Sequence, residues 1–524
     1  MPPSPSSQAA PLAAPDPPPL TDRLLRSWLR CRRRAWLDGH GPEQARQWSA
    51  HRALALEEQL RSFQTLLPQR PGRGEIACAA GAPGVVGMRL RGLTADRSPI
   101  EAHPPLLERV EGSSRWGEHR YRPVLGRQGR RTTREHRLQL ALWGRLLAHH
   151  QDGAVPQGLV VAGAGTRMER EPVNLQVESL QRQLDDSLSR LAVDLERTTP
   201  PPLVSDRKKC TLCCWRSLCD EAAAVEGHLS EVSGIGGKRR ELLVALGIGS
   251  LAELAATDPD ALAEQLAAEG EQHREVAGAL VAQAQVQAAG LPRRREGSPG
   301  LALPELEGAP GVLLYDIESD PDARDDFLHG VLRLRRRPDG SWPDPAEAAL
   351  DATAAYQPLL ALHEHGEPRL WARLERLLRR YPDWPVLHYG ETEAIGLLRL
   401  AERQGVPEAE RARLKARLVD VHQRLRRHWL LPVNSYGLKA VAGWIGFAWS
   451  QPGVDGARCL LWWRQWRRDR SKAGVPRSRQ RLQRIFRYNL DDSLATWAVA
   501  RWLLDQPADA EAPPLPLPPP PPLA

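Results

Sequence analysis

The sequence predicts a multidomain α/β protein, and three observations carry that expectation. At 524 residues the chain is too long for a single hydrophobic core. Short apolar runs of strand length alternate with amphipathic helical stretches in two separate regions, 85–196 and 311–505. Between these regions lies a stretch of short Ala/Leu-rich helices.

The elements follow in order. Residues 1–20 are rich in Pro, Ala and Ser, and 507–524 end in a proline run; both are expected to be disordered tails. Two helices are read in "TDRLLRSWLRCRRRAWLDGHG" and "GPEQARQWSAHRALALEEQLRSFQTLL", and residues 85–126 break into strand-like pieces such as "LLERV" and "HRYRPVL". A helix ("TTREHRLQLALWGRLLAHH"), a strand ("GLVVAG") and a helix over about 174–196 complete a first domain, assigned to 21–222. Residues 223–292 hold the short helices and 293–310 read as a linker. Residues 311–506 form a second α/β domain, with strands near 312–317, 328–335 and 385–389.

Composition narrows the function class. With 41% hydrophobic and 26% charged residues the chain reads as soluble and globular. No apolar run reaches membrane-spanning length and no secretory leader pattern opens the sequence, so no membrane partner is expected and the cytoplasm is the expected compartment. A net charge of +8 is compatible with a nucleic-acid partner. Lysine occurs only at positions 208, 209, 238, 415, 439 and 472, so residues 1–207 contain none. Of seven cysteines, Cys210, Cys213, Cys214 and Cys219 fall within ten residues, which in a cytoplasmic chain points to metal or iron–sulfur ligation rather than disulfides.

The stretch "GVLLYDIESD" ends an apolar strand in Asp316 and Glu318. Residues two apart on a strand point to the same side, so the two carboxylates project together. Held that close they repel unless a cation sits between them. A strand running into an acidic turn is the alternative.

The spacing Cys210-x2-Cys213-x5-Cys219, with Cys31 in "WLRCRRRAWL" far upstream, resembles that of the iron–sulfur RecB-type nucleases. The resemblance implies that Cys31, Cys210, Cys213 and Cys219 hold a [4Fe-4S] cluster that clasps the two ends of the domain. Zinc is the alternative, since four thiolates suit it equally, and Cys214 is a neighbour able to replace Cys213. RecB-type nucleases carry an Asp on one strand and Glu-x-Lys on the next. Here "HPPLLERV" has Pro105 at the first position, and "YRPVLGR" has Leu125 and Arg127 at the others. Arg127 cannot exchange a proton near neutral pH. "HRLQLALW" keeps the family's Gln as Gln139. The first domain is therefore expected to be a degenerate, inactive nuclease, with Glu108 or Glu111 as the only candidates for displaced ligands.

"SGIGGKRRELL" looks like a helix–hairpin–helix, whose Gly-hydrophobic-Gly turn exposes backbone N–H groups to a phosphate. That implies nucleic-acid contact through Gly234, Gly236 and Lys238, against a plain helical connector.

A strand carrying Asp-x-Glu is also the first motif of the DEDD exonucleases, which have an RNase H-like fold. The other motifs follow in order. "PVLHYGETEAIGLL" places Glu393 one turn into a helix, and "FRYNLDDSLATW" contains Tyr488-x3-Asp492 on one helical face. The resemblance implies that Asp316, Glu318, Glu393 and Asp492 hold Mg²⁺ or Mn²⁺, that Tyr488 orients the attacking water, and that His388 lines the site. Asp420 is assigned a structural part. Over residues 21–506 the whole order is similar to a bacterial family of RecB-like nucleases. The expected activity is a metal-dependent 3′–5′ exonuclease on nucleic acid, DNA rather than RNA, in repair. A non-catalytic nucleic-acid-binding scaffold is the alternative, and protein partners are unknown.

Overall fold

The computed structural model describes residues 19–506 apart from 128–130, 165–166, 299, 322–324, 362–365 and 471–474. The expected tails lie outside the described residues, except that Leu20 is buried and pairs with Ile100. The chain divides into two compact units, one reaching Val204 and including Leu212–Ser217, the other holding Ser205–Thr211 and everything from Leu218.

In the first unit a six-stranded sheet runs in the order Gly72–Arg73, Gly84–Val86, Leu106–Val110, Arg120–Gly126, Gln157–Ala164, Arg167–Asn174. The helix Arg134–His150 lays Leu138, Leu142 and Leu146 into its core. Two expectations change here. The strand Arg167–Asn174 escapes the sequence reading because "RMEREPVN" is a polar edge strand with no apolar face. The expected first helix is broken at Cys31, which is extended at φ −165° and ψ 122° between Asp22–Arg30 and Arg32–His40. The break lets Trp28 and Arg32 both donate to buried Asp194, at 2.7 and 2.6 Å. Those bonds, Arg32's first, hold the Asp194 carboxyl below its usual range.

In the second unit, the short helices from Gly237–Ala245 to Ala277–Ala289 close over Ile235, Leu242, Leu254, Leu262 and Leu280. Residues 293–310, expected as a linker, are docked along their length by pairing and burial. Arg293–Arg294 pair with Trp429–Leu430, and Ala302, Leu303, Leu306 and Ala309 are buried in the core of the domain that follows. The Pro, Gly and Arg around them mask that short apolar stretch in the sequence.

That domain is built on a five-stranded sheet: β1 (Gly311–Asp320), β2 (Asp325–Arg335), β3 (Tyr356–Leu360), β4 (Val386–His388) and β5 (Leu418–Asp420). Its order is β3-β2-β1-β4-β5, with β2 antiparallel to its neighbours. Strand alternation splits β1 between two cores: Leu313 and Tyr315 face one, Val312 and Leu314 the other. Leu490, Leu494 and Trp497 of the helix α3 (Val475–Asp505) pack on the Val312 side. Asp316 and Glu318 share the parity of Val312 and Leu314, so the acids emerge on the face that α3 covers. The other helices bordering the site are α1 (Glu391–Arg403) and α2 (Gly456–Arg470). Among the described residues no helix is long and apolar enough to cross a membrane.

Candidate active site

Asp316, Glu318 and Asp492 converge, with ligand oxygens within 4.8 Å of one another. Among the described residues no other group of three or more His, Cys, Asp or Glu side chains gathers so closely. Two carboxylates come from β1 and the third from α3. Burial first, then the charges of the neighbouring acids, pushes Asp316 and Glu318 well above the usual carboxylate range. Burial likewise pushes Asp492 up to about 6, against the pull of its Trp449 and Tyr488 hydrogen bonds and of Lys439.

Neighbours that the sequence reading missed fix these acids. Asn489 is fully buried and donates from Nδ2 to Asp316 Oδ2 at 2.6 Å. It also bonds Glu318, and its Oδ1 accepts from the Tyr356 hydroxyl at 2.8 Å. Tyr356 thereby fixes the amide's orientation, with its N–H pair toward the acids. Gly330 lies opposite Asp316 across the β1–β2 ladder, and a Cβ there would meet Asn489 Oδ1 at 1.6 Å. Only glycine leaves room for the amide. Trp449 donates from Nε1 to Asp492 Oδ1 at 2.7 Å. Asp491, next in sequence, instead accepts from the backbone N–H and hydroxyl of Ser450 at 2.9 and 2.6 Å. Those bonds tie Asp491 to structure and leave Asp492 as the acid of the site.

Of the remaining expected residues, Tyr488 bonds Asp492 from one turn away on α3. Burial, chiefly, drives its hydroxyl far above the ordinary tyrosine range, so it stays protonated. Glu393, at the start of α1, stands outside the close triad. Its Oε2 is buried without a partner, and burial pushes the carboxyl up to about 7. His388 is buried, with Nδ1 2.6 Å from Gly390 O. Asp420 caps the helix Val421–His428 and accepts from Gly390 N–H at 2.9 Å.

Three crowded carboxylates, Glu318 buried and Asp316 and Asp492 half-buried, make an all-oxygen donor set, the chemistry that hard divalent cations take. The residues fit the metal.

Elsewhere the expected sites are less developed. Cys31, Cys213 and Cys214 belong to the first unit, and Cys210 and Cys219 to the second. Leu125 is a core residue, Arg127 pairs with Glu169 at 2.5 Å, and Glu108 lies between Arg122 at 2.7 Å and Arg170 at 3.6 Å. Gly234 has φ +97°, Ile235 is buried, and Gly236 precedes the helix Gly237–Ala245, on whose first turn Lys238 is exposed. One turn of 3-10 helix, Leu229–Glu231, comes before that turn.

Residues 313–504 match the family model of the RNase_H superfamily, and residues 221–288 match a domain of unknown function, DUF4332. No match is found among curated proteins. The family match, the sheet order and the acids at the end of its central strand agree: residues 313–504 are an RNase H-like domain within a mixed α/β multidomain chain.

Proposed function

We propose that residues 311–506 form a metal-dependent 3′–5′ exonuclease acting on nucleic acid, DNA in preference to RNA, with a part in repair. The observation that carries this reading is the convergence of Asp316, Glu318 and Asp492 at the end of the central strand. Those three and Glu393 would hold two Mg²⁺ or Mn²⁺ ions. When bound, such a pair supplies an activated water and neutralises charge on the leaving 3′ oxygen. The chain's own residues do the rest. Asn489 holds Asp316 in one orientation. Trp449 does the same for Asp492. Tyr488, protonated and anchored on Asp492, offers its hydroxyl to orient the attacking water.

The first unit has a non-catalytic part in this reading, supported by Leu125, Arg127 and the paired Glu108. Its contribution is grip on the substrate, with the turn Gly234–Gly236 and Lys238 adding phosphate contacts. Cys31, Cys210, Cys213 and Cys219 hold a [4Fe-4S] cluster, with zinc as the alternative. The support for that is their spacing. The test is hydrolysis of single- and double-stranded DNA and RNA, each 5′-end-labelled, with Mg²⁺ or Mn²⁺. A ladder shortening stepwise from the 3′ end, strongest on DNA and absent in Asp492→Asn, is expected. Internal cuts, or hydrolysis that survives Asp492→Asn, would overturn the proposal.

A further inference from the structure

The helix α2 buries its large apolar side chains with one exception. Cys459, Leu460, Trp463 and Trp466 point inward, and Trp463 stacks on Phe327 of β2 at 4.7 Å. Leu461 is buried as well, so the apolar side chains around Trp462 are packed away. Trp462, between Leu461 and Trp463, is only half-buried. Two guanidiniums lie close to its ring: Arg458, one turn earlier on α2, at 5.9 Å, and Arg484 of α3 at 5.6 Å. Arg484 is exposed, and among the described residues it pairs with no carboxylate.

This group is in line with the acids. Arg484, Tyr488 and Asp492 are spaced four apart on α3, so they form one row along a helical face. Tyr488 bonds Asp492, and the Lys439 ammonium lies 5.1 Å from the Tyr488 ring. The N-terminal residue of α2 also borders the site: a Cβ on Gly456 would lie 3.9 Å from Glu318 Oε2. Trp462 is six residues further, about 9 Å along the helix, which is the span of about two or three stacked nucleotides. Exposed Arg487 adds a further positive charge, held by its Nε to Ser450 Oγ at 3.0 Å.

A half-buried indole with two cations close by, leading to a cluster of carboxylates, suits one ligand chemistry. The cations take phosphates, and the ring takes the face of a base. A base inside a duplex has no free face to offer, so the ligand is a single strand. We infer that Trp462, Arg458 and Arg484 form a platform that binds the single strand leading to the acid site, with bases on the indole and phosphates on the guanidiniums. The inference rests on the nuclease reading and adds to it the substrate class: single-stranded, with little sequence preference.

The experiment uses full-length Asp316→Asn protein without divalent metal and a fluorescent oligothymidylate, with the same strand in a duplex as comparison. The single strand is expected to bind more tightly than the duplex. Trp462→Ala should weaken binding about tenfold, and Trp462→Phe should restore most of it. Arg484→Gln should lower the slope of log affinity against log salt by about 0.7, one phosphate contact on a single strand. Equal binding of the strand by the parent, Trp462→Ala and Arg484→Gln proteins overturns the inference, as does tighter binding of the duplex. If those variants bind normally while the unsubstituted enzyme hydrolyses DNA, the platform fails and the nuclease reading stands. If the variants weaken binding but no metal-dependent hydrolysis exists, the platform stands and the nuclease reading fails.

Discussion

Gly330→Ala probes how the acids are held without altering any of them. The new methyl would meet Asn489 Oδ1 at 1.6 Å and Tyr356 Cε2 at 3.0 Å. The amide must therefore move and release Asp316. Overpacking of this kind costs about 1–3 kcal/mol, and losing the hydrogen bond to Asp316 costs about 0.5–1.5 kcal/mol more. A destabilisation of about 3 kcal/mol is the expected sum, which for a domain of this size lowers melting by about 6–12 °C. Asn489→Ala alone should cost a similar amount, because it strands Asp316 and the Tyr356 hydroxyl together. The informative variant carries both substitutions. With the amide gone, the methyl clashes with little except Tyr356, so the double variant should cost about 3 kcal/mol rather than about 6, a strong non-additivity. The assay is thermal unfolding, followed through the transition that Mn²⁺ raises, with Mn²⁺ titration alongside. Both single variants should bind Mn²⁺ more weakly. Additive costs in the double variant, or a Gly330→Ala protein with parental melting and Mn²⁺ affinity, would refute the reasoning.

Three further outcomes follow from the same geometry. Full-length Asp316→Ala should lose all metal-dependent hydrolysis, since among the described residues the first unit gathers no cluster of acids; residual hydrolysis removed by a further Glu108→Gln change would show that unit to be active. Without metal, stability should fall as pH rises. Burial holds Asp492 at about 6 and Glu393 at about 7, above unfolded values of about 4. The folded chain thus binds the extra protons, and its advantage is complete below about pH 4 and lost through about pH 6–7. Denaturation across that range checks this, and Mn²⁺ affinity should rise over the same window as the ligands lose their protons. Protein purified without oxygen should be brown, and Cys31→Ser should remove both the colour and part of the thermal stability; a colourless protein holding one zinc would replace the iron–sulfur assignment.

Much of the second domain is legible in the sequence because its signals are local. The run Val312–Tyr315 shows β1, its two-residue alternation puts Asp316 and Glu318 on one side, and four-residue spacing aligns Tyr488 with Asp492. What a periodicity cannot show is which distant residue fills the space between two acids. Asn489 sits inside a motif that already had two assigned residues, and its part depends on Gly330 across the sheet. Trp449 and Lys439 reach the site from loops and helices with no spacing signal. The docking of 293–310 is hidden for a different reason: its charge and turn residues outnumber the few apolar side chains that dock it. Cys31 shows a third limit, since the break in its helix serves a buried carboxylate more than a hundred and sixty residues away.

The central claim is that Asp316, Glu318, Glu393 and Asp492 form one metal centre. An anomalous difference map from crystals of the full chain soaked in Mn²⁺ tests it without relying on substrate choice. The account predicts manganese bound by Asp316, Glu318 and Asp492, with the orphaned Glu393 oxygen turned to the same centre, and no manganese there in Asp316→Asn crystals. Manganese bound elsewhere, with this cluster left empty, would contradict it.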